Sequence, residues 1–74
     1  MHSFEDERGQ AWQVAVLDAS YGSVMLVFSR LGSTDVLKGD LYAADLAEAR
    51  EMLAAMDEAE LRTHLAQAVP VDGG

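Results

Sequence analysis

Residues 41–53 read LYAADLAEAREML, and within this stretch the spacing of the apolar residues changes. Before it, apolar residues alternate with polar ones or form short blocks between turn residues, as in antiparallel strands. After it, they recur every three or four residues with carboxylates between them, as on one side of a helix. The change predicts an α+β fold, in which a three- to four-stranded antiparallel β-meander precedes one bent or two short C-terminal α-helices packed on one face of the sheet.

Four strands and their turns are predicted from the N-terminal half. The strands are a weak edge strand at 2–7, a clear one at Ala11–Asp18, the most apolar one at 24–29 and a weaker one at 36–42. Gly9 fits a hairpin loop because it tolerates positive φ, whereas Gly39 inside the fourth strand suggests a β-bulge. Turn residues are concentrated at 18–23 and 31–35.

Helical signals begin at Asp45, whose side chain is placed to cap the first free amides while Glu48 stands three residues later. Asp57 and Glu60 repeat this arrangement, which favours two helices bent at Asp57 over one long helix. Pro70 and the final glycines predict that a single domain at 1–69 is followed by a flexible tail at 70–74.

The alternation of side chains along the strands predicts two unequal sheet faces. The larger apolar face is expected to form the core beneath the helical leucines Leu46, Leu53, Leu61 and Leu65. Its members are Trp12, Val14, Val16, Val24, Leu26 and Phe28.

The opposite face is a candidate interaction surface. It would carry Gln13, Ala15, Leu17, Met25 and Val27, with Ser29 at its margin. A two-layer fold has no second helical layer to cover such a face, and an apolar patch with a polar rim is typical of a binding surface. The alternative is that a loop, the tail or the first strand folds over it.

The formal net charge of −8 and the spread of the five cations along the sequence argue against binding to nucleic acid or to an anionic membrane. The exposed acidic residues of the helices form a second candidate surface, for docking to a basic protein or imitating a nucleic acid: Glu48, Glu51 and Glu58. The competing explanation is that helix dipoles favour acidic first turns and that a solvated surface needs charge.

Catalytic, cofactor and metal sites are not predicted. The two histidines, His2 and His64, lack partners at ligand spacing, and the chain has no cysteine. The serines have no neighbouring base, and the run at 5–7 lacks the spaced ligands of a calcium loop. Ser20, Ser23 and Ser29 are therefore treated as structural. We do not expect an enzyme.

The function expected from these features is that of a small non-catalytic domain that binds another protein or a second copy of itself. A chain of 74 residues has a small core, and a homodimer would add to it. The alternative is a small-molecule or accessory enzyme module with its site near Tyr42 and His64. Tyr21 or Tyr42 could also be contact residues, but each could instead pack as a lid over the edge of the sheet, which is the preferred interpretation for Tyr42. The acidic start carries no secretory signal pattern, so cytoplasmic residence is expected. The start of the chain, from Phe4 to Val14, resembles that of many small bacterial proteins, which implies no function.

Overall fold

The computed structural model describes residues 2–18 and 24–71 of the chain. It contains one antiparallel sheet and two C-terminal helices, which confirms the predicted α+β fold. The predicted turn after Asp18, with Ser20, Tyr21 and Ser23, lies outside the described residues. The elements are β1 His2–Glu5, β2 Ala11–Asp18, β3 Val24–Arg30, β4 Val36–Leu41, α1 Leu46–Ala55, α2 Glu58–Gln67 and β5 Val69–Pro70.

The sheet follows the order of the chain, β1-β2-β3-β4-β5, and every neighbouring pair is antiparallel. The weak first strand does pair with the sheet, with Phe4 opposite Trp12. In the centre, Val14 lies opposite Phe28 in the pairing of β2 with β3. Gly9 turns the first hairpin with φ 80°, as predicted for a residue without a Cβ.

The predicted bulge at Gly39 is wrong. The pairing of β3 with β4 runs without interruption from Val24 to Ser29, and Gly39 lies directly opposite Leu26. A methyl group added at Gly39 would meet Ala68 at 3.9 Å, so the end of α2 lies close above this position. Glycine inside a strand can mark either a bulge or a close approach of another segment. Gly39 marks a close approach, since the helical layer lies near the sheet at this position.

Both helices begin with the predicted caps. The Asp45 carboxylate accepts from the Glu48 backbone N–H at 2.8 Å, and the Asp57 carboxylate accepts from that of Glu60 at 2.9 Å. The Glu48 side chain reaches back to accept from the Ala44 N–H at 3.0 Å. The chain is extended at 56–57, between α1 and α2, which confirms two short helices in place of one.

The core lies between the helices and one face of the sheet. Phe28, Leu26 and Val14 are completely buried, and Phe4 contacts Phe28 edge to face with ring centroids 6.1 Å apart. Of the predicted core residues, Val16, Leu46 and Leu65 lie at its margin, half-buried. The fully buried or nearly buried set is Phe4, Trp12, Val14, Val24, Leu26, Phe28, Leu41, Ala49, Leu53 and Leu61.

A fifth strand was not predicted. After α2, Val69 and Pro70 return along the free edge of β4, where Pro70 lies opposite Leu37. The Val71 N–H then donates to the Val36 carbonyl at 3.0 Å. Residues 70 and 71, which were expected to begin the tail, thus extend the sheet, and the rest of the predicted tail lies outside the described residues. A proline is accepted here because β5 is an edge strand. Neither helix is long and apolar enough to cross a membrane.

Candidate functional site

The predicted interaction face is assembled by the register of the two central strands. Gln13 lies opposite Ser29, Ala15 opposite Val27, and Leu17 opposite Met25. Both helices pack on the other side of the sheet, and no element within 2–18 or 24–71 covers this one. We call this surface, defined by Gln13, Ala15, Leu17, Met25 and Val27, the open face.

Strands β4 and β5 widen the open face beyond the residues that were predicted. Lys38 is paired with Val27 on one side and with Val69 on the other, and Asp40 is paired with Met25. Leu17 and Val69, at opposite ends of the patch, are 51% and 52% exposed. The alternation of side chains along β4 could have predicted that Lys38 and Asp40 lie on this side of the sheet. Strand β5 has only two residues, so it has no periodicity from which the position of Val69 could be predicted.

The open face is broad relative to the molecule. The principal extents are 32 × 31 × 18 Å, so the domain is a flat two-layer body whose broad sides are the helical layer and the open face. A side of that breadth is comparable with the roughly 800 Å² that each partner buries in a standard interface. That area refers to the whole side of the sheet, and the open face forms its apolar centre.

The acidic helical surface is built as predicted, with Glu48, Glu51 and Glu58 all exposed. Two of these carboxylates have backbone partners: Glu48 accepts from Ala44, and Glu58 accepts from the Glu5 N–H at 3.5 Å. The two aspartate caps and Glu48 satisfy amides at the starts of the helices, whereas Glu58 links the start of α2 to strand β1. The contacts favour a structural role for these residues.

Tyr42 and His64, which were predicted to lie near a small-molecule site, line one hollow of about 420 Å³. Met52 and Met56 from the end of α1 form its apolar wall, and Glu60 adds a carboxylate. Tyr42 is 90% exposed, so the prediction that it packs as a lid over the edge of the sheet is wrong, and its side chain lies at the rim of the hollow. The hollow is open to solvent, with both polar and apolar lining.

A third feature was missed from the sequence. Although the cations are spread along the chain, Arg8, Arg30 and Arg62 line a single hollow of about 570 Å³, so the expectation of no cationic cluster is wrong at this position. Trp12 and Leu65 form its apolar side. We call this feature the arginine hollow. Only the register of the first hairpin and the docking of α2 bring these residues together.

Asp6 organises the loop beside the arginine hollow. Its carboxylate accepts from the Trp12 indole Nε1–H, from the Arg8 backbone N–H and from the Gln10 backbone N–H, each at 2.9 Å. The hydrogen bond from Trp12 is the main cause that lowers the pKa of Asp6 below its ordinary 3.8, although partial desolvation acts in the opposite direction. Asp6 is thus a structural carboxylate that holds the loop, rather than one member of a solvated acidic run.

The two histidines lie in different places. His2 lines a hollow with Arg50 and Leu53, whereas His64 lines the hollow with Tyr42, Met52 and Met56, which we call the Tyr42 hollow. Within the described ranges, no three histidine or carboxylate side chains are grouped so that they could hold a metal ion. Ser29 lies on the open face opposite Gln13.

Comparisons of this chain with protein-family models, with curated proteins and with solved structures found no significant match.

Proposed function

We propose that this chain is a non-catalytic protein-interaction domain that binds its partner through the open face. The observation that carries the proposal is a five-stranded sheet with an apolar central patch on the side away from both helices. Burying Leu17, Met25 and Val27 against a partner would contribute roughly 25 cal/mol for each Å² of apolar surface removed from water.

The partner that fits this face best is a second copy of the chain. Lys38 and Asp40 lie two residues apart on β4 and have opposite charges beside the apolar patch. A twofold axis between them would place Lys38 of one copy against Asp40 of the other, because a symmetric interface pairs each residue reciprocally. A domain of this size, whose own core contributes only about 3–5 kcal/mol, would also gain stability from the added burial.

The first test is the solution mass of the wild-type chain and of the double variant M25K/V27K, measured by light scattering behind size exclusion. We expect a dimer for the wild type and a folded monomer for the double variant, since two ammonium groups would be desolvated in the interface. The double variant A47K/A59K is the matched control, because it adds two charges at exposed alanines of α1 and α2, on the helical side of the sheet, and it should remain a dimer.

A charge exchange makes the test specific for the twofold arrangement. K38D should weaken the dimer by placing aspartates against each other, and K38D/D40K should restore it. A wild-type chain that stays monomeric at every accessible concentration would contradict self-association. Unfolding of M25K/V27K would show that the face belongs to the core and would overturn the open face as a binding surface.

A second candidate function is small-molecule binding in the Tyr42 hollow. It is favoured by the meeting of Tyr42 and His64 at one hollow, next to the flexible side chains of Met52 and Met56. Amide spectra recorded with a panel of aromatic small molecules should then show saturable shifts confined to this lining, and His64→Gln should reduce them. His2→Gln is the control variant and should leave these shifts unchanged. The absence of shifts with every compound of the panel would count against this function.

A further inference from the structure

The arginine hollow gathers guanidinium groups on an acidic protein. Three of the five cations in the chain line it, whereas the carboxylates of the lining are Asp6 and Glu7, in a molecule with a formal net charge of −8. The three arginines come from three separate parts of the fold: Arg8 from the loop between β1 and β2, Arg30 from the end of β3, and Arg62 from α2.

Two of the guanidinium groups form hydrogen bonds within the protein and still have N–H groups that are free to donate to a ligand. Arg62 donates from Nε to the Glu5 carbonyl at 2.8 Å, which leaves its terminal amino groups available. Arg30 uses Nη2 for the Ser33 hydroxyl at 3.0 Å and for Asp35 at 2.6 Å, which leaves Nε and Nη1. An arginine anchored in this way has already lost much of the rotamer freedom that binding an anion would otherwise cost.

Arg8 completes the group from the hairpin loop. Its backbone is held by the Asp6 carboxylate at 2.9 Å, and its side chain makes no hydrogen bond within the part of the chain that the structure describes. The Asp6 carboxylate lines the same hollow, and its pKa is lowered chiefly by the Trp12 hydrogen bond and also by the nearby Arg8 charge, so it remains a negative charge beside Arg8. Three N–H groups already donate to it, so much of its hydrogen-bonding capacity is used within the protein.

Part of the lining of the hollow is apolar. Trp12, Leu65 and Ala66 line it next to the arginines. The volume of about 570 Å³ lies within the ~300–1,000 Å³ that is usual for small-molecule sites. The hollow therefore combines guanidinium donors for an anionic group with an apolar surface for an organic body.

We propose that the arginine hollow binds a small phosphomonoester, with the phosphate held by the arginines and the organic body against Trp12 and Leu65. A phosphate dianion offers three terminal oxygens and about two charges, which match several guanidinium groups, whereas a carboxylate is satisfied by one arginine fork. The surrounding acidic surface disfavours a polyanion such as nucleic acid, and it restricts the ligand to a compact anion.

The test is a titration with phenyl phosphate at constant ionic strength, followed by the fluorescence of Trp12, the only tryptophan, and by amide and indole N–H spectra. We expect saturable shifts of the Trp12 indole and of the amides at Arg8 and Leu65. Arg8→Gln and Arg62→Gln should each weaken binding at least about tenfold, the effect of losing one charge-assisted hydrogen bond.

Arg50→Gln is the matched control, because it removes the same charge from α1, outside the hollow, and it should leave the affinity within about twofold. Arg8→Gln is the decisive variant, because it removes no side-chain hydrogen bond within the described ranges, whereas Arg62→Gln also loses its bond to Glu5. M25K/V27K should bind phenyl phosphate normally, so the outcome is independent of the open face.

Three results would overturn the proposal. They are the absence of saturable shifts in the wild-type protein, equal weakening by Arg50→Gln and Arg8→Gln, and equal binding of benzoate and phenyl phosphate. The second would mean that only overall charge matters, and the third would show that the hollow does not select a phosphate.

Discussion

The two faces of the sheet are made by the same strands but differ in the burial of their side chains. On the covered face, Leu26 and Phe28 are completely buried beneath the helices. On the open face, their chain neighbours Met25 and Val27 are only half-buried, by the residues beside them in the sheet. The difference shows that the two sides of β3 are buried to different extents, since one side supplies the core and the other contributes less buried surface to the fold.

The largest contrast between the faces is expected from truncation within β3. Phe28→Ala should cost about 3–5 kcal/mol, because it empties a fully buried aromatic site in contact with Phe4. That is as large as the roughly 3–5 kcal/mol expected for the whole domain, so the variant should be unfolded at room temperature. Val27→Ala, one residue away on the open face, should cost only about 1 kcal/mol. Circular dichroism with urea titration measures both, and equal losses would show that the faces do not differ.

The covered face depends on the helices above it, so loss of a helix cap should weaken it moderately. Asp57→Ala removes the carboxylate that accepts from the Glu60 N–H and should lower the free energy of unfolding by about 1 kcal/mol. Glu51→Ala, an exposed carboxylate in the interior of α1, is the control and should change it by less than about 0.5 kcal/mol. In urea titrations the midpoint should fall at an unchanged slope. Similar midpoints for the two variants would count against the cap.

The loop at the edge of the covered face should make stability depend on acid pH. The folded-state pKa of Asp6 is lowered, chiefly by the hydrogen bond from Trp12, so its contribution is complete above the ordinary value of 3.8 and is lost as pH falls through the lower folded-state pKa. The difference in unfolding free energy between wild type and Asp6→Asn should therefore be constant near neutrality and shrink below about pH 4.

The control for this measurement is the same substitution in a Trp12→Phe background, which lacks the indole N–H that donates to Asp6. The difference between Trp12→Phe and Trp12→Phe/Asp6→Asn should decline less over the same range, because the main cause of the lowered Asp6 pKa is absent. The difference in unfolding free energy between wild type and Asp6→Asn could instead stay constant down to the lowest pH. That result would contradict the lowered folded-state pKa of Asp6.

The smallest effect on folding is expected at the open face itself. Leu17 is 51% exposed, so Leu17→Ser should change the stability of the monomer by less than about 0.5 kcal/mol. The same substitution should weaken self-association measurably, because it removes apolar area from one end of the patch. Denaturation at a concentration below the dimer range and sedimentation at one above it separate the two effects. A large loss of monomer stability would remove the distinction between the faces.

Much of this fold could be predicted because the relevant signals are local. Alternation over Ala11–Asp18 identified the second strand with its observed bounds, and the spacing of Asp45 to Glu48 identified the start of α1. The same alternation grouped the residues of the open face, which the register then paired. What such patterns could not show is whether another part of the chain covers that face, because covering depends on where the helices pack.

Three features depended on tertiary packing. Strand β5 has only two residues, one of them a proline, and it pairs because α2 ends beside the free edge of β4. Gly39 was interpreted as a bulge, since sequence cannot distinguish a local kink from room left for the end of a helix. The arginine hollow joins residues from a hairpin loop, a strand end and the last helix, none of which are neighbours in the chain.

The sequence by itself determined the fold class, the strands from β1 to β4, the two capped helices and the division of the central strands into two faces. Each of these follows from residue periodicity or from a hydrogen bond between residues close in the chain. Tertiary structure alone decided the fifth strand, the packing of both helices on the side of the sheet away from the open face, and the meeting of three arginines. These depend on contacts between distant segments, and such contacts are set by the packing of the helices on the sheet.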